Sequence, residues 1–123
     1  PIMAYLKGEP SVTRIIDIIA DAHDRGDSLL MSAVNVGEVW YTIASRANSE
    51  SADSAIKIIH SLGIEFIEVD WPTTQIAARY KALGGISYAD CFAAALAKQA
   101  GGTLVTGDRE FEQLQEQVSI LWL

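Results

Sequence analysis

At 123 residues with 50% of them hydrophobic, the chain has the length of one compact domain and enough apolar side chains to bury a core without disulfide or metal staples. Its single cysteine, Cys91, has no partner for an internal disulfide and fits a reducing compartment. Sixteen acidic against nine basic residues give a formal net charge of −7, the wrong sign for a simple phosphate-binding module. No apolar run approaches the ~20 residues that span a bilayer, and no basic-then-apolar leader opens the sequence, so a cytoplasmic protein without membrane association is expected.

The chain begins at Pro1 and enters an apolar stretch at once, as if continuing something earlier. Residues 11–25 carry Ile15, Ile16, Ile18, Ile19 and Ala22 at helical spacing, closed by Gly26. Ser28 to Ser32 reads as the first visible strand. A helix follows from about Val36, with Val36, Val39, Trp40, Ile43, Ala44 and Ala47 recurring at three and four residues, which predicts a core stripe that includes Trp40. Another helix spans 49–62 and stops at Gly63. Ile64 to Val69 alternates as a strand, Pro72 opens a helix through Leu83, and Gly84 and Gly85 break the chain. A helix from Tyr88 to about Ala100, a strand from Thr103 to Thr106, a short helix from Asp108 to Gln115 and a terminal strand from Val118 to Trp122 complete the chain. Helices alternating with short strands, with no repeat and no linker, predict an α/β domain with a parallel sheet.

Two helices carry a charge anomaly. Glu38 is the only charged residue from Ser28 to Ser45, and Asp90 the only one from Ala82 to Ala97. A carboxylate on a helix as apolar as Cys91 to Ala97 is costly unless it is paired or binds a metal. Capping explains each acid taken singly: Asn35 with Glu38 and Ser87 with Asp90 have capping-box spacing, and Asp108 can cap its own short helix. The order of elements adds a second reading. Glu38 opens a helix directly after a strand, Asp108 lies just past the end of another, and ligands of open parallel sheets bind beyond the carboxyl ends of the strands. Carboxylates gathered there with no consistent basic neighbour describe a hard-cation site of the magnesium or manganese type.

The segment Ile86-Ser87-Tyr88-Ala89-Asp90-Cys91-Phe92-Ala93-Ala94-Ala95-Leu96-Ala97, followed by Gly102-Thr103-Leu104-Val105-Thr106-Gly107-Asp108-Arg109-Glu110-Phe111, closely resembles the C-terminal half of bacterial PIN domains. Ser32 to Val39 looks like their strand-to-helix segment with the second acid. Pro1 to Glu9 looks like the stretch that follows an Asp-Thr-Asn or Asp-Thr-Ser at the end of their first strand. The resemblance, strongest to VapC-type ribonuclease toxins, covers the chain from end to end. It implies one three-layer α/β/α domain over residues 1–123 with a parallel sheet, commonly ordered 3-2-1-4-5. The central first strand and its aspartate are not in this sequence, so a chain extended upstream by about one strand is expected, on the order of five to eight residues.

Carried over residue by residue, the resemblance makes Glu38, Asp90 and Asp108 three of the family's four catalytic, metal-binding carboxylates. Thr106 matches the hydroxyl beside the metal, and Glu110 is an auxiliary acid. The implied chemistry is hydrolysis of RNA by water activated at magnesium or manganese, leaving a 5′-phosphate and a 3′-hydroxyl. The implied partners are a VapB-type antitoxin, the RNA substrate and a second copy in a homodimer. Lys7, Arg46 and Arg109 are the basic residues nearest in sequence to the site and are candidates for RNA phosphate contacts, against solvation or, for Arg46, helix C-capping. Tyr5, Trp40 and Tyr41 are candidate base-stacking residues. Cys91 lacks a histidine partner and reads as a core thiol, and His23 and His60 read as surface residues. The alternatives are a noncatalytic PIN-fold binding module and a receiver-like or phosphatase-like domain. The receiver pattern of a phosphoacceptor aspartate after a middle strand and a lysine after the last does not fit.

Overall fold

The computed structural model describes residues 1–123, apart from the side chain of Ala4. The chain order is α1 (Ile2–Lys7), α2 (Val12–Arg25), β1 (Leu29–Ser32), α3 (Ala33–Arg46), α4 (Ser49–Ser61), β2 (Ile64–Ile67), α5 (Trp71–Leu83), α6 (Tyr88–Ala100), β3 (Thr103–Thr106), a 3₁₀ turn (Arg109–Leu114) and β4 (Ser119–Trp122). Every element expected from the sequence forms. The helix α1 is additional, in a stretch to which periodicity assigned nothing.

Local chemistry fixes the helix ends. Asp70 caps α5 by accepting a hydrogen bond from Thr73 N–H at 2.9 Å, and Pro72 sits in the first turn, where its missing N–H costs nothing. Asn48 caps α4 through Ser51 N–H. Gly26 and Gly101 end α2 and α6 in the left-handed conformation that leaves a Cβ-bearing residue strained.

Two compact units share the chain: Pro1–Met31 with Val36–Ile67, and Ser32–Asn35 with Glu68–Leu123. In the first, β1 pairs with β2, and a core of Val39, Ile59 and Ile64 gathers Met3, Leu6, Met31, Ile43 and Phe66 around it. Trp40 departs from the expected core stripe. It is 36% exposed, with its indole N–H donating to Asp53 Oδ1 at 2.9 Å, because Val39 occupies the buried line of α3 and turns its neighbour outward.

In the second unit, β3 runs parallel to β4 with Thr103 opposite Ser119 and Thr106 opposite Trp122, and Leu123 N–H extends the ladder to the Thr106 carbonyl. The small residues Ala77, Ala94 and Ala95, all 0% exposed, let α5 and α6 approach closely. Around them pack Tyr80, Ile86, Cys91, Phe92, Phe111, Leu114 and Val118. Cys91 is fully buried, as a core thiol should be, and burial pushes its pKa up. The described strands form two two-stranded sheets, β1 with β2 and β3 with β4.

Candidate metal centre

The second unit brings three carboxylates together. One ligand oxygen each from Asp90, Asp108 and Glu110 lies within 4.8 Å of the others. Asp90 comes from the first turn of α6. That helix starts where it does because Ser87 is extended and its hydroxyl oxygen accepts from Asp90 N–H at 3.2 Å. Asp108 and Glu110 come from the segment that leaves β3. There Thr106, 5% exposed, turns the chain by accepting the Asp108 N–H on Oγ1 at 3.0 Å, and Asp108 Oδ1 accepts the Glu110 N–H at 2.9 Å. The side chain of Thr106 thus shapes the loop that carries two of the acids.

Capping and clustering therefore coexist. The capping reading holds for Ser87 and for Asp108. A capping bond to one carboxylate oxygen, however, leaves the carboxylate's remaining acceptor sites for another partner. Asp90 is half-buried, and burial pushes its carboxyl above the ordinary range. The Ser87 hydrogen bond opposes this, and the negative charge of Asp108 adds to it. The two lysine- or arginine-mediated ion pairs among the described residues, Arg25 with Asp27 and Arg109 with Glu112, involve none of the three acids. An all-oxygen donor set of three gathered carboxylates suits a hard divalent cation such as magnesium or manganese.

The other expected site residues take the following places. Glu110, expected as an auxiliary acid, lies with Asp90 and Asp108, held beside Asp108 by the hydrogen bond from its own N–H to Asp108 Oδ1. Glu38 is half-buried in α3, in the first unit. Arg109 is exposed, lies 4.7 Å over the Trp122 ring and reaches Glu112 at 3.5 Å. Lys7 and Arg46 line a groove of about 580 Å³ in the first unit with Met3, Leu6, Ile43 and Ile58. His23 and His60 are exposed, His23 against the Leu62 carbonyl and His60 on the Phe66 ring.

Asn35 corrects an expectation. It does not cap α3, which begins two residues earlier at Ala33, directly from β1. Ser32 takes the capping role, its Oγ accepting from Val34 N–H at 3.3 Å. Asn35 instead donates from Nδ2 to the Ala89 carbonyl at 2.9 Å, next to Asp90.

The PIN domain family model matches residues 1–117, and the chain belongs to the PIN domain family. Two solved structures are similar in fold. VapBC2 from Rickettsia felis, bound to a DNA fragment from its promoter, is 19% identical with a TM-score of 0.73, over 98% of this chain and 90% of that one. VapBC-1 from nontypeable Haemophilus influenzae is also 19% identical with a TM-score of 0.74, over 98% and 91%. The chain has the α/β fold of this family, with β3 and β4 parallel. No curated relative matches it by sequence.

Proposed function

We propose that this chain is a metal-dependent endoribonuclease acting as the toxin of a VapBC-like toxin–antitoxin pair. The observation that carries the reading is the meeting of Asp90, Asp108 and Glu110 within 4.8 Å, just past the end of β3 and at the start of α6. Membership of the PIN family and the fold shared with two VapBC proteins support it.

Asp90, Asp108 and Glu110 would hold magnesium or manganese. When bound, such an ion offsets phosphate charge, acidifies water and steadies the leaving oxygen. The carboxylates contribute negative charge that retains the ion. One of these carboxylates would also accept a proton during attack. No covalent nucleophile is assigned, since Cys91 is sealed in the core. Arg109, exposed beside Asp108, is placed to meet RNA phosphate, and Tyr41, 59% exposed, to stack a base.

The proposed partners are a VapB-type antitoxin, in keeping with the VapBC neighbours, together with RNA and a second copy of the chain. The proposed location is the cytoplasm. No helix among the described residues is long and apolar enough to cross a membrane. The test is incubation with a mixed RNA pool with magnesium, with manganese and with chelator, followed by end-group analysis. New 5′-phosphate ends that need the metal support the reading. RNA left intact under all conditions, by protein shown to be folded, argues for a noncatalytic PIN-fold module.

A further inference from the structure

We infer that Asn35 is a positioning residue, which holds the Asp90-bearing turn of α6 in the place where the three acids meet. The inference rests on the metal reading of the Asp90, Asp108 and Glu110 cluster. Two observations on the same side chain carry it. The Nδ2 of Asn35 donates to the Ala89 carbonyl at 2.9 Å, fifty-four residues away in sequence, which pins the first turn of α3 to the first turn of α6 at the residue before Asp90. The Oδ1 of the same amide is buried and has no hydrogen-bond partner among the described residues. Turning the amide over would set Oδ1 against the Ala89 carbonyl, two acceptors face to face, so the orientation is determined.

An unpaired buried carbonyl oxygen costs at least as much as an ordinary hydrogen bond contributes. The two ends of the amide therefore give no net gain in global stability, and an asparagine at this position adds nothing to the folded state as a whole. What remains is geometric. The Ala89 carbonyl belongs to a helical first turn whose N–H groups are tied only locally, Asp90 N–H to Ser87 Oγ and Cys91 N–H to the Ser87 carbonyl. A local cap fixes the turn internally, and Cys91 and Phe92 anchor the helix behind it in one core with Phe111. The bond from Asn35 ties the leading residue of the turn, Ala89, to a second element. Partners of this kind, which orient a ligand without touching the ion, commonly change metal affinity by about 10- to 100-fold.

The test compares the parent, Asn35→Ala and Ile15→Ala. The last truncates a buried residue of α2 in the first unit, outside the core around the acids, and serves as a control for general destabilisation. Amide hydrogen exchange without metal and manganese binding by calorimetry are measured on each. Asn35→Ala is expected to raise exchange at Asp90 and Cys91 roughly five- to tenfold relative to Ala94 and Ala95. It should weaken manganese binding about tenfold or more and leave the melting temperature close to the parent's. Ile15→Ala should melt earlier and bind manganese as the parent does. Unchanged exchange at Asp90 and Cys91 overturns the inference, and so does a general loss of stability with unchanged manganese affinity. If the parent itself binds no manganese, the metal reading fails, and exchange alone decides whether Asn35 holds the turn.

Discussion

Asp108 Oδ1 accepts the Glu110 backbone N–H at 2.9 Å, so the side chain that caps the 3₁₀ turn also positions its neighbour in the acid cluster. The two roles separate by substitution. Asp108→Asn keeps an oxygen for the cap, and its stability should stay within about 0.5 kcal/mol of the parent. Asp108→Ala should cost about 1 kcal/mol by urea unfolding. Both should lose manganese affinity by calorimetry, because neither offers a carboxylate. If Asp108→Asn binds manganese like the parent, Asp108 is a cap and nothing more.

Asp90 gives the protein a pH dependence of known sign. Its carboxyl lies above the ordinary range, chiefly through burial, so in ion-free protein the folded state keeps a proton that the unfolded chain releases near pH 4. The stability tied to Asp90 is complete below that ordinary pKa and falls as pH rises through the raised folded value. Denaturant unfolding in chelator between pH 3.5 and 7 should show this decline superimposed on the other carboxylates. Asp90→Asn should lack it, and magnesium, which favours the ionised carboxylate, should offset it.

Gly63 and His23 make a close contact in the first unit. Gly63 has φ +78°, and a Cβ there would lie 2.5 Å from His23 Cε1, whose ring sits 2.8 Å from the Leu62 carbonyl through Nε2. Gly63→Ala must therefore strain the backbone and displace the ring. The loss should exceed about 1 kcal/mol in thermal or urea unfolding, and a neutral result would contradict the described turn.

Cys91 is 0% exposed with its thiol pushed up by burial. A thiol reagent at pH 8 should label native protein only at the rate at which it opens, and should label it at once in denaturant. Immediate labelling of the native state would contradict the packing of α6 in the second unit.

Much of this was legible beforehand because the signals were local. Gly101 and Ser87 mark both ends of α6, the charge-free run around Asp90 sets that residue apart, and Thr106 and Asp108 stand at a strand-to-turn junction. What escaped reading depended on contacts distant in sequence or on the pitch of a short element. Asn35 has the spacing of a cap, yet Ser32 starts the helix earlier and frees Asn35 to reach Ala89. Trp40 fits a 3.6-residue stripe, yet Asp53 on the next helix gives its N–H a partner at the surface. Glu110 entered only through the resemblance, as an auxiliary acid, because nothing in the local sequence showed that Asp108 Oδ1 would hold its N–H and bring the two acids together.

The central claim, that the acid cluster is a metal site for cutting RNA, is tested most directly by Asp90→Asn. The measurement is thermal unfolding of parent and variant with and without magnesium, alongside cleavage of a mixed RNA pool. Without metal, the variant should be at least as stable as the parent, because it removes a half-buried charge set beside Asp108. Magnesium should raise the parent's melting temperature far more than the variant's, since only binding to the native state stabilises it. Cleavage should fall by orders of magnitude in the variant. A variant that is less stable without metal, gains as much from magnesium and still cuts RNA would show that Asp90 merely supports the start of its helix.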